Sequence, residues 1–156
     1  MSRYEDCDDS LVEVFLEVLE ERFPAYVNLK FRLIYDTKKR INKGKICLAS
    51  IELASPKIKF FTKDEKAIEG YDYVLIVDQK AWQYASDADK RRIISHELRH
   101  VFIDEKGTPK IIDHDINDFY SEIKLNTDDP DWGLKLCTLV SAIYEQEKDD
   151  KKGANM

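Results

Sequence analysis

Ser86-Asp87-Ala88-Asp89-Lys90-Arg91-Arg92-Ile93-Ile94-Ser95-His96-Glu97-Leu98-Arg99-His100 holds two of the chain's three histidines and a strong helix signal. Ser86 stands three positions before Asp89, the spacing of a capping box, and a helix is predicted from about Asp87 to Ile103. At roughly 100° per residue its side chains fall into three sectors. Ile94, Leu98 and Val101 form one and should face the core. Arg92, Ser95 and Arg99 form another, suited to solvent. His96 and His100 lie one turn apart in the third, beside Glu97. Amphipathicity explains the leucine and the arginines. It gives no reason for the histidines.

Upstream, Tyr71 to Asp78 reads as a strand preceded by Gly70, and Ala81 to Tyr84 as a short helical turn carrying Trp82. Ile46 to Leu53 is a second strand. Leu29, Phe31, Leu33 and Tyr35 alternate with Lys30, Arg32 and Ile34, which marks a half-buried strand. Ser55-Pro56 breaks the pattern and leaves Lys57 to Thr62 open between strand and loop. Residues 10–23 carry the stripe Leu11, Phe15, Val18 and Leu19 of an amphipathic helix, capped by Ser10 with Glu13 and stopped by Pro24. Downstream, Gly107-Thr108-Pro109 marks a turn. Asp113 can cap a helix bearing Ile116, Phe119 and Ile123, which Asp128-Asp129-Pro130 interrupts. A last helix is expected from Trp132 to about Glu147. The order of helix, strands and further helices gives an α+β layout. Residues 1–147 are expected to form one domain, with 148–156 a polar, disordered tail.

Composition sets the outer bounds. A chain of 156 residues with 43% hydrophobic and 36% charged residues is a soluble globular protein with a real core. No apolar run approaches the ~20 residues of a membrane span, and the N-terminus has no apolar stretch of a secretion signal. Cys7, Cys47 and Cys137 are scattered and odd in number, which favours reduced thiols in a cytoplasmic setting. The net charge of −6 is uneven: residues 30–66 hold eleven Lys or Arg against four acids, and the remainder is −13. Such a segment could bind nucleic acid, or it could be a soluble hairpin whose lysines block edge aggregation.

His96-Glu97-Leu98-Arg99-His100 spells H-E-x-x-H, the signature of zinc peptidases. Two histidines four apart can reach one ion, and catalytic zinc takes three protein ligands and leaves one position open. Glu97, adjacent but not a ligand, is placed as general base. His114 is the leading third ligand, at the start of the next helix; Glu122 is the rival, since some zinc peptidases take a carboxylate from the following helix. Asp113 and Asp115 read as helix-terminus charge. Asp118, one turn beyond His114, could orient a ligand imidazole. Tyr73 and Tyr120 are candidates to stabilise an oxyanion, whereas helical phase sends Arg99 away from the histidines.

Tyr73 to Val77, Trp82, the His96–His100 motif, His114 to Phe119 and Trp132 together resemble the phage metallopeptidases. The arrangement is also similar to SprT/Spartan proteases, although Asp115 replaces the glycine usual there. This resemblance implies a zincin-like fold, a small, mostly antiparallel sheet packed on the motif helix. It also implies one zinc ion on His96, His100 and His114, with Glu97 as base, acting on a protein or peptide substrate. It further implies that Tyr73, Val74, Leu75, Ile76 and Val77 form an edge strand that binds substrate backbone. The competing expectation is a non-enzymatic, zinc-stabilised binding or inhibitor protein, with Cys47 or Cys137 completing a closed site.

Overall fold

The structure, a computed structural model, describes residues 2–42, 44–113 and 120–154. In chain order the elements are β1 (Tyr4–Asp6), α1 (Asp9–Arg22), a 3-10 turn (Pro24–Tyr26), β2 (Phe31–Asp36), β3 (Ile41–Asn42) and β4 (Lys45–Ile46). They continue with β5 (Ala49–Leu53), α2 (Pro56–Phe61), β6 (Tyr73–Asp78), α3 (Gln79–Tyr84) and α4 (Asp87–Leu98). The chain closes with β7 (Val101–Ile103), β8 (Pro109–Ile111), α5 (Tyr120–Leu125) and α6 (Trp132–Ala154). The class is α+β.

The main sheet runs β1-β2-β6-β5, with β1/β2 and β5/β6 antiparallel and β2/β6 parallel, so it is mixed. The near-continuous apolar run Val74-Leu75-Ile76-Val77 suits β6 to its place. It is hydrogen-bonded on both sides, and Tyr73, Leu75 and Val77 are fully buried. That placement corrects the expected edge at Tyr73–Val77. Its main-chain groups are taken by β2 and β5, and none is left to pair with a substrate strand. β5 is the terminal strand on that side.

One apolar core joins Leu11, Phe15 and Val18 of α1 to Leu33, Leu75 and Val77 of the sheet and Ile94 and Leu98 of α4. A second, smaller one gathers Ile46, Ile93, Trp132, Leu136 and Val140. The motif helix α4 lies between them.

Several local expectations shift. Asp8, not Ser10, caps α1: its carboxylate accepts from Leu11 N–H at 3.2 Å and from the Tyr35 hydroxyl at 2.9 Å. Ser10 instead accepts from the Trp82 indole at 3.0 Å. Residues 57–61 are helical, because Ser55 caps α2 and Pro56 takes its first position. The final helix continues to Ala154 and takes in residues 148–154. A Gln146–Asp150 side-chain bond and Lys151 and Lys152 near its end suit that extension. The basic segment 30–66 is divided among β2, the β3–β4 hairpin and α2. Arg32, Arg40 and Lys59 are engaged in ion pairs with Asp6, Asp36 and Asp72. No described helix is long and apolar enough to cross a membrane.

Candidate metal centre

Ser86 caps α4 by accepting from Asp89 N–H at 3.1 Å, as its spacing suggests. The helix ends at Leu98, five residues short of the expected Ile103. Val101-Phe102-Ile103 is a β-branched and aromatic run, and here it pairs antiparallel with Pro109–Ile111. The helix tightens before the change: Arg99 N–H donates to Ser95 O at 3.1 Å, and His100 N–H reaches only back to Glu97 O at 3.1 Å.

His100 therefore sits in the closing turn, yet it stays next to His96. The two ring centroids are 5.5 Å apart, with their planes at 69°. Two imidazoles on one tetrahedral ion, with metal–nitrogen bonds of ~2.0–2.1 Å, would hold their centroids roughly 5 Å apart. His100 is also pre-oriented. Its Nδ1 lies 2.6 Å from the carbonyl oxygen of Ile112, which can only accept, so Nδ1 is the donor of this bond and Nε2 is the nitrogen left to face an ion. Ile112 N–H returns a bond to His100 O at 2.8 Å. The β7–β8 hairpin thus holds the second histidine of the motif.

Glu97 is 7% exposed, and no described residue donates a hydrogen bond to its carboxylate. Burial pushes that carboxyl up to about 7, an effect that the neighbouring His96 opposes. A buried carboxylate without a partner is costly in a purely structural setting. Glu97 and His96 line a cleft of about 630 Å³, together with Ile93, residues 45–49 and 130–134, and Cys137. The donor chemistry fits a zinc ion: two adjacent imidazoles, one fixed by a backbone carbonyl, beside a carboxylate that reaches the cleft.

The other expected residues divide. His114, Asp118 and the Tyr120 side chain lie outside the described residues. Among the described residues, no group of three or more His, Cys, Asp or Glu is gathered to hold an ion. Glu122 is 1% exposed; its Oε1 accepts from Ser95 Oγ at 2.7 Å and from Arg99 Nε at 2.8 Å, while its Oε2 is buried with no hydrogen-bond partner among the described residues. Tyr73 is fully buried, and its hydroxyl donates to Lys110 O at 2.8 Å, with Phe102 O at 3.3 Å. It clamps the β7–β8 hairpin to the sheet and has no proton to offer an oxyanion. Arg99 points away from the cleft, its guanidinium 4.7 Å from the centre of the Phe23 ring.

The helical phase of the motif gives no hint of the cleft walls. Ile46, Cys47, Leu48, Trp132 and Leu134 come from segments far away in sequence. Trp132, an aromatic residue placed directly after Pro130-Asp131, was the available signal.

Fold and motif together place the chain among α+β proteins that carry an H-E-x-x-H helix. The chain belongs to the phage metallopeptidase family: the family model described as "Putative phage metallopeptidase" matches residues 4–145. No curated protein and no solved structure matches it. The matched span takes in the whole main sheet, α4 and both walls of the cleft.

Proposed function

We propose that this protein is a zinc-dependent peptidase in which His96, His100 and His114 hold one ion and Glu97 is the general base. The observation that carries this reading is the pairing of the His96 and His100 imidazoles beside a cleft that His96 itself lines together with the buried carboxylate of Glu97. When bound, zinc acidifies a water towards a pKa of ~7 and polarises the scissile carbonyl.

The chain's own residues do the rest. His100 keeps Nδ1–H on the Ile112 carbonyl, which fixes its ring before any ligand arrives. Glu97 removes the proton of the attacking water and, once protonated, can pass it to the leaving amine. The substrate is a protein or peptide, and β5 offers it the free edge that β6 does not, running from Ala49 beside the cleft to Leu53. With Tyr73 occupied, Tyr120 is left as the sequence's candidate for stabilising the oxyanion. Asp118 keeps its role of orienting the His114 imidazole.

A closed structural site completed by Cys47 or Cys137 has less support. The two thiols donate to Ala49 O at 3.2 Å and Ile46 O at 3.6 Å, and burial pushes both pKa values up, away from the thiolate that zinc needs. Metal content and peptide hydrolysis, compared in wild type and Glu97→Gln, test the proposal. About one zinc per chain is expected in both proteins, with hydrolysis lost only in the variant. Equal hydrolysis in the two rules out Glu97 as base.

A further inference from the structure

Resting on the reading of His96 and Glu97 as a hydrolytic centre, we infer that the adjoining cleft is a selectivity pocket for one large aliphatic or aromatic substrate side chain next to the bond that is cut. The lining of the cleft is mixed in character: beside His96 and Glu97 it holds Ile46, Ile93 and Trp132, all buried members of the second apolar core. The volume of about 630 Å³ is ample for a bulky side chain together with the backbone that carries it.

The lip of the cleft makes the same case. Leu134, in the first turn of α6, is 61% exposed at its edge, an apolar group that an incoming side chain would cover. Lys45 and Asp131 stand at the mouth with opposite signs and give no net preference for a charged residue. Among the described residues the charged side chains that line the cleft are Glu97 and the exposed Lys45 and Asp131, so an acid or base of the substrate set against Ile46, Ile93 and Trp132 would lose its water without a dedicated partner. A second cavity of about 300 Å³ shares Lys45, Ile46, Gly133, Leu134 and Cys137 with the first and carries the groove on along α6.

Gly133 supplies the test. A Cβ built there meets nothing within 4 Å, so Gly133→Leu projects into the groove without striking the fold. Replacing a glycine inside α6 should also leave the helix at least as stable.

Two measurements run in parallel. A random peptide library is digested by zinc-loaded wild type and the cut sites are read by mass spectrometry. Capped pentapeptides with a central Leu, Phe, Ala or Asp are titrated into Glu97→Gln, with isothermal titration calorimetry as the readout. Leu and Phe are expected to be enriched beside the cut, and their peptides to bind ~10-fold or more tighter than the Ala peptide. Adding Gly133→Leu should reduce that advantage to less than ~3-fold without lowering the unfolding midpoint. Cleavage with no apolar enrichment, or equal binding of the Leu, Ala and Asp peptides, overturns the pocket and leaves the hydrolase reading standing. If nothing is cut but the binding preference and its loss in Gly133→Leu both appear, the pocket stands and the hydrolase reading fails.

Discussion

The two flanks of α4 are buried by different chemistry. On one, Ile94 and Leu98 pack against α1 and the sheet with no exposed surface. On the other, Arg92, Ser95 and Arg99 meet α5 and the loop after it through polar bonds. Arg92 reaches Asp89 at 2.7 Å, Asp128 at 2.6 Å and Asn126 at 3.3 Å, while Ser95 and Arg99 converge on the Glu122 carboxylate. Helical phase assigns the polar flank to solvent, yet Arg92 is largely buried and Ser95 wholly so. Polarity in the sequence reports what a side chain needs as a partner, and a distant carboxylate can serve as well as water. The consequence for the site is direct. Glu122 anchors the back of the motif helix, and the front is left for the histidines.

Substitutions can break or sharpen this contrast. Leu98→Ala, on the apolar flank, carries the largest expected effect, a loss of about 3 kcal/mol from lost burial and a residual cavity. Denaturant unfolding at constant m-value measures it. Glu122→Ala should cost about 2 kcal/mol, because Ser95 and Arg99 lose their acceptor while part of the Arg99 side chain can still turn to water. The milder Glu122→Gln separates anchoring from ligation. Zinc content should match wild type, and loss of the metal would make Glu122 a ligand and undo the contrast between the flanks.

Smaller effects lie away from α4. Asp8→Ala should cost about 1 kcal/mol, since it removes the cap of α1 and the acceptor of the Tyr35 hydroxyl. A fall in the unfolding midpoint, with no change in metal content, is the expected pattern.

Asp78 gives the smallest effect and one that depends on pH. Burial pushes its carboxyl up, opposed by the Tyr144 hydroxyl at 2.7 Å and the Ala81 amide at 2.9 Å. An acid raised in the fold favours the folded state below the unfolded carboxyl range near ~3.9 and loses that contribution as pH rises through the folded value. The stability difference between Asp78→Asn and wild type should therefore move in favour of the variant as pH rises from about 4, then level off. A slope of the opposite sign would mean that the Tyr144 bond outweighs desolvation.

Periodicity marked α1, β6, α4 and the start of α6, because each buries a repeating stripe. It failed where the outcome depended on a remote partner. Val101 to Ile103 continues a helical pattern by phase, and only its pairing with Pro109–Ile111 turns it into a strand. The interior position of β6 follows from parallel pairing with β2 some forty residues away, which no local pattern records. In α2 the signal was present, since Ser55-Pro56 is a cap followed by a first-turn proline. At the site, spacing alone placed His96, Glu97 and His100 together. The Ile112 carbonyl that orients His100 and the apolar walls of the cleft come from other segments and have no signature in the motif. His114 and Asp118, which rest on the sequence, lie outside the described residues.

X-ray absorption at the zinc edge of the metal-loaded protein is the most direct test of the proposed centre. Three imidazole nitrogens at ~2.0–2.1 Å and one light solvent atom are expected, with one imidazole lost in His114→Ala. A sulfur shell at ~2.3 Å, or an unchanged spectrum in His114→Ala, would contradict a centre built from His96, His100 and His114.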